Sequence, residues 1–487
     1  MKIRSTYLLM LILVFTGCKK MDELHLNPND QVVTNPDQLF TFSVTRGMGS
    51  YITNVDVQYW MLMNWTMYFG TLGGVPAGKE YELNSGKDNL WNELYSQALM
   101  NAREVVQLTS SDPSLVNKTA IARIWQVYLF QQATDLWGSI PYSDALAGIS
   151  GLNYSPAYDK QEKIYGDLLD ELKNAAALLD QNKSTFAGNT DPIYSGNVTK
   201  WRAFANSLRL RPAMRIRFAN AARAQQEVSE LQSAPMINSN SDNAIFPFNG
   251  EIKNPLYEVI ARQEDGGKIY PSKFLIDLLK SLNDPRLKVV AEVTALSVII
   301  GAPDWNGVPD LVPSNSPIWN GYATDGSDVS AVGDWFNRQE SPGVLMSHAE
   351  VCFLQSEAVL AGWWSGDAQQ LYENGIRSAI ESYMDTTISN TQINTYLNAV
   401  PAVTLENIIT QKWISFTYQN SYESYAEYRR TGFPVLKKFD GTPIDLAAFP
   451  FRLTYPSSEV TLNSVHYHEA LSWQGSDLVT TRVWWNQ

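Results

Sequence analysis

Residues 345–364 read LMSHAEVCFLQSEAVLAGWW, residues 365–366 read SG, and residues 367–384 read DAQQLYENGIRSAIESYM. Both flanks have the length and apolar spacing of helices, expected over 345–363 and 367–384. The Ser365-Gly366 link is too short for anything but antiparallel packing. Helix pairs of this size are the building unit of helical-repeat scaffolds, although a strict repeat of about 34 residues is not visible. Downstream, further helices are expected over 391–399 and, as one long element, over 404–430. The tail after Pro434 reads as irregular, with a short helix after Ser457.

Upstream the helical pattern continues. Pro36-Asp37-Gln38-Leu39 opens a helix with Pro and an acid in its first turn. A helix over 56–69 is crowded with Tyr59, Trp60, Trp65 and Tyr68; a Gly-rich loop follows over 70–86. Asp88 is expected to cap a helix ending near Leu108. The next helix runs from Pro113 to Trp137-Gly138. Its middle, 124–130, is apolar on nearly all sides, which places it inside the body. Residues 160–179 put Ile164, Leu168, Leu172, Ala175 and Leu179 on one stripe. Residues 199–220 bury Trp201, Phe204 and Leu208, and Pro212 removes a backbone donor, so a kink or break is expected near Arg211. The same helix carries Lys200, Arg202, Arg209, Arg211, Arg215 and Arg217. These could form an anion site; ion pairing with this acidic chain's carboxylates is the favoured reading.

Between about 235 and 344 the character changes. Pro, Gly, Asn and Asp crowd together, and only 271–282 looks clearly helical. Binding residues commonly sit on such loops. The expected organisation is therefore a signal peptide at 1–17, a tether at 18–35, and a helical scaffold over 36–234. A loop-rich ligand-binding region over 235–344 follows, then scaffold again over 345–434, and an irregular tail over 435–487 packed on it.

At 487 residues the chain is long enough for a large core, and about 150 residues per domain gives a soft prior of three units. Lys and Arg number 37 against 50 Asp and Glu, a net charge of −13. That argues against a nucleic-acid surface, which depends on basic neutralisation of phosphates. Aromatics are 12% of the chain, with 15 Trp and 24 Tyr, more than packing normally requires. Met1-Lys2-Ile3-Arg4, the apolar run 7–15 and Thr16-Gly17-Cys18 describe a secretory signal, too short to span a bilayer. Thr-Gly before Cys resembles a bacterial lipoprotein box, although Phe15 stands where Leu is commoner. In that class Cys18 is acylated and tethers a soluble body to a membrane. Cys352 is then unpaired, so the core and not a disulfide supplies stability.

Several stretches resemble the SusD/RagB-type nutrient-binding outer-membrane lipoproteins. They are 136–146 (LWGSIPYSDAL), 201–211 (WRAFANSLRLR), 350–362 with Glu357-Ala358, 411–434 through Tyr428-Arg429-Arg430-Thr431-Gly432-Phe433-Pro434, 452–459 (RLTYPSSE) and Arg482-Val483-Trp484-Trp485. Trp137 replaces the family's usual aromatic, and Pro212 interrupts its basic helix. The resemblance implies a mostly α fold, with tetratricopeptide-like helix pairs supporting a loop-rich ligand-binding half. It also implies a cell-surface protein that captures glycan, or peptide in some relatives, and delivers it to a SusC-like TonB-dependent transporter. On their own chemistry, Arg429-Arg430, Arg452 beside Tyr455-Pro456, and Trp484-Trp485 read as structural.

A sugar site needs flat aromatic platforms with a few amides, carboxylates or Arg groups. Two regions supply both. The first is Trp65, Tyr68 and Trp91, with Asn64 and Asn92. The second is Trp305, Trp319, Tyr322 and Trp335, with Asp304, Asn306, Asn320 and Arg338. The second carries more weight, because it lies among Gly and Pro where aromatics are hard to bury. For any single Trp among them the core or a transporter interface is the favoured reading, while at least two of the second set are expected to line a pocket.

A glycoside hydrolase of the cell envelope is the alternative, and needs two carboxylates about 5–10 Å apart; no signature marks such a pair. His466-Tyr467-His468-Glu469 would align two imidazoles on a strand but not on a helix, which is expected there. No phosphate loop and no Gly-x-Ser-x-Gly elbow occurs. No cofactor is expected. Asp325-Gly326-Ser327-Asp328 offers oxygens to calcium, but its spacing is not that of an EF-hand, and a plain turn is the reading. A third possibility is a purely structural partner of the transporter.

Overall fold

The computed structural model describes residues 34–49, 55–74, 81–83, 85–146, 153–261, 269–383 and 388–486. The chain divides into two units, Met1–Pro36 and Asp37–Gln487, and the elements described here build the second. The signal segment, Cys18 and nearly all of the tether lie outside the described residues.

Helix α1 is Pro36–Gly49, and α2 runs over Val55–Leu62 in π register before closing as Met63–Trp65. It stops short of Phe69, because Met67 adopts a left-handed φ of 59° and turns the chain into strand β1, Phe69–Thr71. Helix α3 is continuous through Gly86–Asn92, Glu93–Leu99 and Met100–Thr109. Asp88 does not cap it. The helix starts two residues earlier, and Asp88 instead accepts from Ser457 Oγ at 3.3 Å.

Helix α4, Val116–Trp137, begins as read from Pro113: Asp112 accepts from Ser114 N at 2.8 Å. It stops at Gly138, whose φ of 83° suits glycine and whose N–H bonds Thr134 O at 2.8 Å. Ile124, Trp125, Leu129 and Trp137 are all fully buried, as an all-round apolar helix requires. Helix α5, Gln161–Leu178, turns its predicted stripe inward, and α6 and α7 follow at Val198–Arg215 and Ala221–Leu231. Consecutive members of α3 to α7 pack side by side.

Helix α6 does not break at Pro212; it runs on to Arg215 and buries the proline. Most of its basic residues are ion-paired, whereas Arg202 bonds the backbone oxygens of Ala176 and Leu179. Arg211 grips both oxygens of Glu350 at 2.7 Å, Arg209 bonds Glu227 and Glu230, and Arg217 bonds Glu357 at 2.7 Å. Arg215, fully buried, bonds Glu423 at 2.5 Å and Glu427. The anion-site reading fails for a physical reason: those guanidinium groups already face carboxylates inside the protein.

In the loop-rich stretch, β4 (Ala244–Phe246) precedes short helices α8 (Pro255–Ala261), α9 (Lys273–Ser281), α10 (Leu287–Val290) and α11 (Ala295–Ile299). Only α9 was legible in advance. The others span barely one or two turns, too few for a periodic signal. Strand pairs are short and antiparallel. Ile140–Pro141 and Tyr158–Asp159, here β2 and β3, pair together; Ile269–Pro271, β5, pairs with β1; Gly343–Met346, β6, pairs with β4.

The decisive hairpin forms as read. Helix α12 is His348–Leu360 and α13 is Ala368–Glu381, capped by Asp367, which accepts from Gln369 N at 2.8 Å and Gln370 N at 3.2 Å. The two pack against each other, and the later helix over Leu405–Ser415, α15, packs on both. Helix α14 is Asn390–Leu397. The expected long helix is two, α15 (Leu405–Ser415) and α16 (Ser421–Thr431). Tyr418 turns left-handed at φ 59°, and Asn420 caps the second by accepting from Glu423 N. Helices α17 (Ser457–Leu462) and α18 (Ser464–Gln474) close the tail. Trp485 anchors the C-terminal end, donating to Asp135 Oδ1 at 3.0 Å beneath Arg429. Among the described residues no helix is long and apolar enough to cross a membrane.

Gly375 sits where α13 crosses α12; a Cβ there would stand 2.6 Å from the Phe353 ring. Gly375→Val should therefore cost about 1–3 kcal/mol by overpacking. A urea midpoint unchanged from wild type would show that the crossing is looser than described.

Candidate functional site

The site is built where the loop after α2 meets the loop after α11. The end of β5 lies between β1 and residue 308: Ser272 N donates to Tyr68 O at 2.9 Å on one side, and on the other Val308 N donates to Pro271 O at 2.9 Å and Lys273 N to Val308 O at 2.7 Å. Gly70 is needed there, because a Cβ would meet Val308 O at 2.8 Å. Gly74, at φ 78°, lies so close to the opposite loop that a Cβ would stand 2.4 Å from Val312 O and 2.8 Å from Trp319 Nε1.

Between these segments opens a cleft of about 80 Å³. Trp60, Asn64, Gly70, Glu82, Leu311 and Val312 are among its walls. Asn64 donates Nδ2 to Trp60 O at 3.0 Å, while its buried Oδ1 has no donor among the described residues. Leu311 is held at φ 49°, and Met67 at 59°, on the two strands of chain that frame the cleft. Strained backbone of this kind persists only where its surroundings over-determine it.

The candidate aromatics separate sharply. Trp65, Tyr68 and Trp91 are core residues, 2%, 0% and 4% exposed. Tyr68 stacks on Trp413 at 4.3 Å and donates its hydroxyl to Trp413 O; Trp65 packs on Tyr425; Trp91 stands edge-on to Trp137. Tyr68 and Trp91 line no part of the cleft, and Trp65 forms only a piece of its floor. Burial corrects the sequence reading of Tyr68 and Trp91 as ligand contacts, since both rings face the scaffold, while Trp65 remains on the cleft lining.

The later set divides. Trp319 and Tyr322 are half-buried, 5.8 Å apart, and pack with Tyr270, Val308 and Val329 beside the cleft; Asn320 between them is exposed. Trp319 Nε1 is held by Pro313 O at 2.9 Å, which fixes the ring. Trp305 packs on a second apolar cluster and donates to Ala291 O at 2.8 Å. Asn306 spends its Nδ2 on Asp328 O. Trp335 packs against Phe336 and Tyr383, and Arg338 lies over its ring at 5.2 Å while bonding Trp335 O. Trp305, Asn306, Trp335 and Arg338 are thus engaged in holding loops, and Asp304 pairs with Lys280 at 2.8 Å.

Sequence reading missed Glu82, Leu311 and Val312, and noted Trp60 only as one of a crowd. The i, i+4 spacing of Trp60 and Asn64 on a helix was the one usable signal. The Asp325–Asp328 segment is a turn: Asp325 Oδ1 accepts from Ser327 N and Asp328 Oδ2 from Ala323 N, both at 3.0 Å, around Gly326 at φ 73°. His466 faces Glu469 at 2.8 Å on α18, while His468 bonds back to Ser464 O. Among the described residues no group of three His, Cys, Asp or Glu side chains converges as metal ligands.

Helix hairpins carrying a loop-built, aromatic-edged cleft define a scaffold of the tetratricopeptide type. The chain belongs to the SusD-like family, described as starch-binding and associating with the outer membrane; the family profile matches residues 28–456. Among solved structures, a chitin-binding protein superposes with a TM-score of 0.81 at 28% identity, covering 93% of this chain and 100% of its own. A chitin-binding SusD homolog from Flavobacterium johnsoniae gives 0.77 at 25%, covering 93% and 99%. A SusD-like protein described only as from Bacteroidetes gives 0.80 at 26%, covering 93% and 100%. None of the curated proteins matches.

Proposed function

We propose that this protein captures an oligosaccharide at the cell surface and passes it to a SusC-like TonB-dependent transporter. The observation that carries the reading is the cleft itself. Trp60 on the cleft wall and the half-buried Trp319–Tyr322 pair beside it offer faces for sugar C–H groups, and Asn64 Oδ1 is a buried acceptor with no donor among the described residues. Chitin-binding relatives make N-acetylglucosamine oligomers the first ligand to try, since hydroxyls and acetamide N–H groups both donate. An acyl anchor at Cys18 would hold the body at the outer membrane. Glu82 is the single carboxylate among the described cleft residues, whereas glycoside hydrolysis calls for two about 5–10 Å apart, so binding without turnover is the favoured chemistry.

Calorimetric titration with chitohexaose, with mass spectrometry of the sugar afterwards, tests this. Trp319→Ala should weaken binding about 10- to 100-fold, from about 1.5–3 kcal/mol of lost aromatic burial. Unchanged affinity in both Trp319→Ala and Asn64→Ala, or shortened sugar, would overturn the reading. Co-purification of the tagged protein with a TonB-dependent barrel tests the transporter step.

A further inference from the structure

A larger pocket lies elsewhere among the described residues. About 480 Å³ opens between α9, α15 and the chain after α16, within the range that holds a small ligand. Phe274, Leu278 and Phe439 give it apolar walls. Asp310 lies on its inner wall, 3% exposed. This residue belongs to the same short run as Pro309, Leu311 and Val312, which line the aromatic cleft, so 309–312 is a wall shared by two cavities.

The charges around it are unevenly used. Asp310 Oδ2 accepts from Phe274 N at 3.4 Å, but Oδ1 has no donor among the described residues. The hydroxyl proton of neighbouring Ser272 is already given to Met67 O at 2.6 Å. Burial, aided by the nearby Asp277 charge, pushes the Asp310 carboxyl well above the usual carboxylate range, against the Phe274 N–H, Ser272 and its own backbone N–H. Lys273 is paired with Asp277 at 2.7 Å. Lys437 and Lys438, exposed at the rim, make no ion pair among the described residues. The lining thus combines a buried carboxylate short of a donor with exposed ammonium groups in no ion pair among the described residues, beside Glu406 and the Lys273-paired Asp277, which leaves room for a complementary molecule. An isolated buried carboxylate oxygen is costly, and a ligand cation or N–H relieves that cost.

We infer that this cavity is a second binding site, for a small zwitterion of the amino-acid or short-peptide class. The ligand's ammonium group faces Asp310, its carboxylate faces Lys437 and Lys438, and its side chains lie on Phe274 and Phe439. The inference does not rest on the carbohydrate reading, since it uses the opposite side of the 309–312 wall.

The test is calorimetric titration of the full mature protein with a panel of unblocked di- and tripeptides, their N-acetylated forms and their C-amidated forms. Unblocked peptides should bind at one site, and N-acetylation should weaken binding by about tenfold or more, because the charge facing Asp310 is lost. Asp310→Asn should erase the difference between free and acetylated peptides. The double variant Lys437→Ala/Lys438→Ala, at exposed positions that cannot upset the core, should reduce affinity and erase the difference made by amidation. Trp319→Ala should leave peptide binding unchanged. The inference is overturned if no peptide of the panel binds. It is equally overturned if acetylated and free forms bind alike, or if Trp319→Ala abolishes binding while the lysine variant does not.

Discussion

Glu427→Leu should cost this protein about 3–5 kcal/mol at neutral pH, the usual result of removing one partner from a buried ion pair. Glu427 bonds Arg430 at 2.7 Å, also reaches Arg215, and stands 3.4 Å from Lys412 Nζ, all inside the scaffold where α6, α12, α15 and α16 meet. Without it, three buried cations share too few carboxylates. Arg430 keeps Glu357, at 2.6 and 2.8 Å, but Lys412 Nζ has no hydrogen bond among the described residues and depends on the surrounding negative charge.

The pH dependence follows from the same groups. Burial by itself would raise the Glu427 carboxyl, but Arg430, Lys412 and Arg215 outweigh it and hold the group well below the usual range. Glu423, against Arg215, Arg211 and Lys412, is lowered likewise. A carboxylate depressed in the folded state contributes stability that is full above its unfolded pKa of about 4.3 and fades as pH falls below that. Urea melts should therefore show a large gap between wild type and Glu427→Leu at pH 7 that narrows below about pH 4. A gap under about 1 kcal/mol at pH 7, or one that stays constant into acid, would contradict the buried-layer description.

Trp413→Ala is the second large effect, about 3–5 kcal/mol for emptying a buried Trp site. Trp413 ties the scaffold to the binding half. From α15 it donates Nε1 to Thr66 O at 3.1 Å, stacks on Tyr68, and meets Phe274 edge-on at 5.7 Å. Tyr68 directly precedes β1, whose Gly70 backs the cleft. Sugar affinity should fall too, although Trp413 does not line the cleft. A variant with wild-type melting and wild-type titration would mean that the two halves are not coupled through this residue.

Much of the scaffold was readable because its signals are local. The Ser365-Gly366 link forces a hairpin, Gly138 stops α4, and the stripe from Ile164 to Leu179 needs only helical spacing. The split between α15 and α16 was not readable. No Gly or Pro marks it; Asn420 caps the second helix, and Tyr418 takes a conformation rarely adopted by its residue type. Basic residues on and just after α6 could be assigned to ion pairs from the acidic balance, but the partners of Arg211, Arg215 and Arg217 lie about 140 to 210 positions away.

The aromatics show where sequence runs out. Trp65 and Trp319 are the same side chain in two settings, one in a helix facing the core and one in the Pro-rich stretch 313–322. The loop setting pointed correctly toward exposure for Trp319 and Tyr322. It could not separate them from Trp305 and Trp335, whose loops fold back on apolar clusters. Nor could any local pattern reveal the second cavity, whose walls come from 273–282, 310, 406–410 and 434–441.

The most direct measurement is a crystal structure of the protein soaked with chitohexaose. Sugar density lying between the Trp60–Gly74 segment and Trp319, with Asn64 Oδ1 accepting from the ligand, is the expected result. Sugar bound only at some other surface, with that cleft unchanged, would contradict the account.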